Sequence, residues 1–207
     1  MADAETRLTR KGRATRDRIV EAAAEVALER GVQGMTNEEV RRAAGVSGSQ
    51  LMHYFPDKES LLSAVIDWRA RAVMNFTQMA AKEGLDTFEG LQSWVDAYLD
   101  HEEACVAGCS FGSLAAELVK SETGLREKLA DGFDQWEELF RAGLQAMRDR
   151  GELKRSADPR ALTNALMSSF QGGMLLSQAS GDSTALRDAL TAALDYLSTF
   201  RSARSRA

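Results

Sequence analysis

Proline is nearly absent, with 2 among 207 residues. It is the residue that most strongly breaks helices. Its scarcity, beside abundant Ala, Leu, Glu and Arg, predicts an all-α chain. No apolar run reaches the ~18 residues a membrane-spanning helix needs, so none is expected. The amino-terminal segment is charged and lacks the apolar stretch of a secretion signal, which predicts a cytoplasmic location. There are 2 cysteines, and in a chain that is not exported reduced thiols are expected. His53 and His101 are the only histidines. No Gly-rich phosphate loop or nucleophile elbow is found, so the chain is not expected to be an enzyme. The apolar share of 44% is ordinary and allows a real core.

Net charge is −5, which argues against a nucleic-acid binder if charge is spread evenly. It is not spread evenly. Arg7, Arg10, Lys11, Arg13, Arg16 and Arg18 cluster near the start, with Asp17 as the one acid among them, and the acidic excess falls after residue 60. A basic arm on a neutral head ahead of an acidic body suits a chain whose head alone meets phosphate. A solvated basic terminus would look the same in isolation.

The segment Thr36–Leu62 carries three helix starts. Thr36 with Glu39 fits a capping box, with Met35 and Val40 as its hydrophobic staple. Ser47 with Gln50 repeats the device, with Val46 and Leu51 as the staple. Asp57 after Pro56 opens the third helix. Gly45 is placed to end the first of these helices in a left-handed conformation. Two short helices joined by a tight Gly turn make a helix-turn-helix, whose second helix enters the DNA major groove in many proteins.

Helical spacing extends through the rest of the chain. A first helix is predicted over about Arg16 to Arg30, with Ile19, Val20, Ala23, Ala24, Ala27 and Leu28 as its inward stripe and Gly31 as its stop. A long helix from Asp57 runs on until Gly84, with Phe76 and Met79 among its predicted inward residues. It joins head to body without a flexible linker, so motion in one should move the other. Asp86 with Glu89 is predicted to cap the next helix. Further helices are expected around Leu114–Val119, over Gly124 to Arg150, from Asp158-Pro159 to about Ala179, and over Thr184 to Phe200. A frayed tail is expected over Arg201 to Ala207. About nine helices result, divided into a head, residues 1–60, and a larger body, residues 61–207.

The string Gly-Val-Ser-x-x-x-Leu-x-x-Tyr-Phe-x-x-Lys-Glu-x-Leu-Leu is carried by Gly45, Val46, Ser47, Leu51, Tyr54, Phe55, Lys58, Glu59, Leu61 and Leu62. Together with the capped helix pair it resembles the TetR family of bacterial transcriptional regulators. The match covers residues 14 to 62, about a quarter of the chain. Gly108–Leu118 is also similar to a segment found in a subset of that family. The resemblance implies a homodimer that binds a palindromic double-stranded DNA operator, usually represses, and is released by a small molecule in the body. It implies DNA contacts from Thr36, Asn37, Ser47, Gly48, Ser49, Gln50, Met52, His53, Tyr54 and Lys58. Lys58 and Tyr54 would hold phosphates, as would backbone N–H groups near Thr36 and Ser47. Gln50 and His53 would face base edges. Met52 stands where the family usually has an aromatic, and could meet a thymine methyl. Glu38 and Glu39 bring negative charge close to the duplex.

In the body, Trp94, Tyr98, Phe111, Leu118, Trp136, Phe140, Phe170, Gln171 and Met174 are candidates to line an effector pocket, with Met167 as a further member. The same residues would also make an ordinary core. His101, Cys105 and Cys109 recur at i, i+4 and i+8, and on one unbroken helix they would share a face. This leaves a thiol-based redox- or metal-sensing regulator as an alternative, and a helical adaptor without DNA binding as another. Neither a metal nor a cofactor is otherwise expected. Leu162, Leu166, Gly173, Leu176, Leu186, Leu190, Ala193, Leu194 and Leu197, with small Ala165, Ser169 and Gly172, point to a two-subunit four-helix bundle.

Overall fold

The structure is a computed structural model that describes residues 8–121 and 123–202. Among the described residues it is helical apart from turns and one isolated bridge, Leu153 with Arg201, with a single 3-10 turn at Thr123–Leu125 among the α-helices. The helices are α1 (Arg10–Gly34), α2 (Asn37–Ala44), α3 (Gly48–Tyr54), α4 (Lys58–Ala80), α5 (Phe88–Leu99), α6 (Glu102–Ala107), α7 (Ser110–Ser121), α8 (Arg126–Asp149), α9 (Pro159–Ser180) and α10 (Thr184–Ser198). The six-residue α6 is the element that the predicted helix pattern does not contain. No helix among the described residues is long and apolar enough to cross a membrane.

The chain divides into two compact units, one reaching to Arg71 and including Ser113–Gly132, the other made of Ala72–Gly112 and Phe133 onward. In the first unit, α1 starts six positions earlier than its apolar stripe predicts, because Thr9 caps it by accepting from Gly12 N at 3.1 Å. The basic cluster therefore rides on helix rather than on an arm; Arg7 lies outside the described residues. Ile19, Val20, Ala23, Ala24 and Ala27 are buried as expected, but Leu28 is 48% exposed, and Val26 is buried instead. At Gly31 (φ 71, ψ 166) the helical path breaks. Glu117 Oε2 accepts from Val32 N at 2.7 Å just after the break, and Lys58 Nζ donates to Val32 O at 3.0 Å. The peptide that follows the kink is thus held at both its polar ends.

The inward face of α4 is not purely apolar. Leu61, Leu62, Val65 and Ile66 are buried, but the stripe continues through Arg69 and Thr77. Burial pulls the Arg69 pKa down, and its Nη2 donates to the Ala24 carbonyl at 2.8 Å and to Glu25 at 3.3 Å. Phe76 and Met79, apolar and predicted to face inward, are one position off this stripe and exposed. Polar side chains that find partners override an apolar count.

The second unit has an aromatic core. Trp94, Trp136, Phe140, Phe170 and Phe111 have no exposed surface. Trp94 meets Phe140 at 4.9 Å and Phe170 at 5.3 Å between ring centroids, and Trp136 Nε1 donates to Thr77 Oγ1 at 2.8 Å. The N-cap of α5 is Thr87, accepting from Gly90 N at 2.9 Å, not Asp86. Asp86 instead forms an ion pair with Arg150 at 2.7 Å. Asp158 and Pro159 open α9 as expected, with Asp158 accepting from Arg160 N at 3.0 Å. The α9–α10 hairpin closes on Gly173, where a Cβ would stand 2.8 Å from Leu186 Cα. Beyond α10, Phe200 and Ser202 are tied to the Glu152–Lys154 segment by backbone hydrogen bonds, so the expected fraying does not begin at Arg201. Residues 203–207 lie outside the described residues.

Candidate nucleic-acid interface

Each short helix of the α2–α3 pair is fixed by its own cap. Thr36 Oγ1 accepts from Glu39 N at 3.3 Å, and Glu39 Oε2 accepts from Thr36 N at 3.3 Å. Ser47 Oγ accepts from Gln50 N at 3.1 Å, and Gln50 Oε1 accepts from Ser47 N at 2.9 Å. Both boxes are complete. Between them Gly45 takes φ 63, ψ 40, a left-handed conformation that lets the chain reverse within one residue. Val40, Ala44, Val46, Leu51 and Phe55 are buried beneath the pair.

This packing leaves one face of α3 open. Ser47, Gly48, Ser49, Gln50, Met52 and His53 are exposed and Tyr54 is half-buried. The His53 and Tyr54 rings meet edge to face at 5.1 Å. Thr36 and Asn37 are exposed at the start of α2. Arg10, Lys11 and Arg13 are exposed on the first turns of α1, while Arg18 is spent on the Ala44 carbonyl at the end of α2, at 2.8 Å. Arg16 lies over the Phe55 ring at 5.4 Å.

Two candidates carry structural duties as well. Gln50 offers its carbonyl oxygen to the cap of its own helix, and Lys58 is half-buried against the Val32 carbonyl. The acids near the surface are neutralised locally. Glu38 is bound by Arg41, at 3.0 and 2.5 Å, and by Arg42. The Arg41 hydrogen bonds are the main reason its carboxyl stays ionised to lower pH than usual. Glu39 is depressed chiefly by its hydrogen bond with Thr36, and it also pairs with Arg30.

In the second unit, a cavity of about 280 Å³ opens among α4, α5, α6, the α7 start and α9. Of the predicted effector residues, Tyr98 and Met174 line it. Trp94, Phe111, Trp136, Phe140 and Phe170 are instead packed into the core, as is Met167 at 3% exposed, and Leu118 is buried in the first unit. Gln171 reaches Cys109 Sγ at 3.5 Å. Phe76, Ala97, His101 and Ala104 also line the cavity and were not anticipated. A sequence gives no sign that a small or exposed residue borders a void.

The His101–Cys105–Cys109 face does not form. Gly108 (φ 82) ends α6, so Cys109 leaves that helix's axis. Cys105 Sγ donates to the Tyr98 carbonyl at 3.0 Å, and Cys109 Sγ accepts from Gly112 N at 3.3 Å. Burial is the chief cause that pushes both thiols above their usual pKa. Among the described residues no three His, Cys, Asp or Glu side chains come together to hold a metal ion.

Comparison with known proteins agrees with this geometry. Residues 19–65 match the family described as bacterial regulatory proteins, tetR family. Residues 87–193 match that described as tetracyclin repressor-like, C-terminal domain. The chain is 24% identical over 161 residues to the HTH-type transcriptional repressor DhaR of Mycobacterium sp. (strain GP1), covering 77% of this chain and 80% of that protein. It is similar in fold to a TetR transcriptional regulator from Chloroflexus aurantiacus, with a TM-score of 0.79 at 24% identity, covering 93% of this chain and 98% of that one. A TetR-family regulator from Cytophaga hutchinsonii gives a TM-score of 0.80 at 16% identity, covering 94% and 98%. With a capped helix-turn-helix that exposes its second helix, and family matches over the head and over more than half of the chain, the protein belongs to the TetR family of DNA-binding transcriptional regulators.

Proposed function

We propose that this regulator is a cytoplasmic, non-enzymatic repressor that binds a palindromic operator as a homodimer and leaves it when a small molecule occupies the body. In this reading residues 1–60 form the DNA-reading head and residues 61–207 bind effector and partner. The observation that carries it is the exposed α3 face, presented by two complete capping boxes. Ser49, Met52 and His53 are its best-placed readers of base edges, with Gln50 shared between cap and groove. Thr36, Asn37, Tyr54, Lys58 and the α1 basic residues supply phosphate contacts.

The dimer reading is supported by α9. Leu162, Leu166, Gly173, Leu186, Leu190, Ala193 and Leu197 are buried within the chain. Leu175 and Leu176 are 65% and 60% exposed, and Tyr196 on α10 is 49% exposed. With exposed Asn164, Ser168 and Gly172 they give α9 an outward stripe of small and apolar residues, suited to an isologous two-fold bundle. Two heads roughly 34–36 Å apart then enter successive major grooves. Near-complete release requires the effector to prefer the DNA-free state by about 10⁴-fold, or roughly 5.5 kcal/mol. Three helices, α4, α7 and α8, contribute residues to both compact units, which makes them the direct covalent routes for that preference.

The test pairs sedimentation with selection of duplex sequences and anisotropy titration at several salt concentrations. A dimer is expected, with a palindromic selected site and an affinity that falls steeply with salt. The variant Leu175→Glu with Leu176→Glu should sediment as a monomer and lose roughly 10²-fold or more in operator affinity, because the second half-site is no longer linked. A wild-type monomer, or a protein that ignores duplex DNA at low salt, refutes the proposal.

A further inference from the structure

The cavity in the second unit has a chemical character that bounds what it takes. It is small: about 280 Å³. An apolar cavity of about 150 Å³ holds one benzene, and drug-sized ligands occupy roughly 300–1,000 Å³. A single substituted ring or a chain of similar bulk fits. The wall is mostly apolar, including Val73, Phe76, Ala97 and Met174; Tyr98, His101, Cys109 and Ser110 are its polar members, and no Lys, Arg, Asp or Glu lines it. A charged ligand would therefore leave water for an apolar wall that offers it no Lys, Arg, Asp or Glu partner.

One polar wall residue is held in place by its neighbours. The Tyr98 ring is held by Phe76 at 4.8 Å, Trp94 at 5.5 Å and Phe170 at 4.7 Å. Among the described residues its hydroxyl has no hydrogen-bond partner. Burial is the main cause that holds its pKa above the usual value, so the group stays a neutral donor. Cys109 is also kept as a neutral thiol by burial, and its sulfur already accepts from Gly112 N and Gln171. His101 also lines the cavity, and its imidazole makes no cap hydrogen bond to α6. A ring-clamped phenol on the wall of a mostly apolar space selects for a hydrogen-bond acceptor.

We infer that the cavity binds an uncharged molecule of about one aromatic ring in size, oriented by an acceptor atom that receives the Tyr98 hydroxyl. The inference rests on the effector reading above, and names the ligand class for it. The binding is reversible and non-covalent.

Calorimetry with four probes of similar bulk tests it: acetophenone, ethylbenzene, benzylamine and benzoate. Acetophenone should bind about fivefold to tenfold more tightly than ethylbenzene, the ratio expected of one neutral hydrogen bond. Benzylamine and benzoate should bind at least about a hundredfold more weakly than acetophenone. Tyr98→Phe keeps the ring contacts and should erase the difference between the two neutral probes. Ala104→Leu, at an exposed position on the cavity wall, should weaken both neutral probes. The inference is overturned if none of the four binds, if a charged probe matches acetophenone, or if either variant leaves the neutral probes unchanged. Operator release is measured separately with the same probes. If acetophenone binds as described but leaves operator affinity unchanged, the effector reading fails while the ligand class stands.

Discussion

Gln50 offers a test in which stability and DNA affinity should move in opposite directions. Its carbonyl oxygen accepts from Ser47 N at 2.9 Å, and the residue is exposed on α3. Gln50→Ala removes one side-chain-to-backbone bond. Ser47 N then turns to water, so the loss is about 0.5–1 kcal/mol rather than a full desolvation cost. For a chain of 207 residues this lowers Tm by about 1–4 °C. Gln50→Glu keeps the acceptor, strengthens it with charge, and adds an anion to the first turn of a helix, worth about 0.3–1 kcal/mol. Its Tm should equal or exceed that of the wild type. In the proposed complex the same carboxylate enters a groove walled by phosphates. At roughly 6 Å and an effective dielectric of about 40, the repulsion is about 1.4 kcal/mol per head, so two heads lose roughly a hundredfold. Thermal unfolding and operator anisotropy read the two effects independently. If Gln50→Glu melts as early as Gln50→Ala, the cap assignment fails. If Gln50→Glu binds operator as the wild type does, α3 does not face the duplex.

Two glycines separate backbone strain from steric contact. Gly45 sits in the left-handed helical region with nothing near its missing Cβ, so Gly45→Ala should cost only about 1 kcal/mol in a urea titration. Gly31 occupies a region open almost only to glycine, and a Cβ there would stand 2.9 Å from Glu117 Oε2. Gly31→Ala should therefore cost about 3 kcal/mol, since it also loosens the Val32 N–H bond; equal costs at the two sites would refute this account. The buried thiols make a further prediction. Their pKa values are raised from 9.0, so the stability they carry is complete below that value and erodes as pH rises past it. Cys105 in the native protein at neutral pH should react with a disulfide reagent only as fast as the protein unfolds, and its immediate labelling would contradict the buried, neutral assignment.

The helix-turn-helix was legible almost residue by residue, because its signals are local. Thr36 with Glu39 and Ser47 with Gln50 define helix starts within four residues, and both boxes are present in the structure. Predictions slipped where a distant partner competed with a local one. Asp86 looked like a cap, but Arg150 claims it, and Thr87 does the capping one residue later. The apolar count on α4 chose Phe76 and Met79 as inward residues. The actual stripe runs through Arg69 and Thr77, whose partners are the Ala24 carbonyl and the Trp136 indole. Neither partner is near in sequence, so no window of local periodicity contains the reason.

The cavity was hidden for a different physical cause. Choosing effector residues by size favours the side chains that fill space best. Trp94, Trp136, Phe140 and Phe170 bury large areas against one another and leave no room beside them. Void persists where side chains are short, as at Ala97 and Ala104, and where a glycine turns the chain, as at Gly108. Tyr98 belongs to both sets. Its ring completes the aromatic cluster, and the residue also lines the void. A ligand there would therefore touch the aromatic cluster of the second unit through Tyr98, and in the proposed complex its orientation would be set by the hydroxyl rather than by the packing.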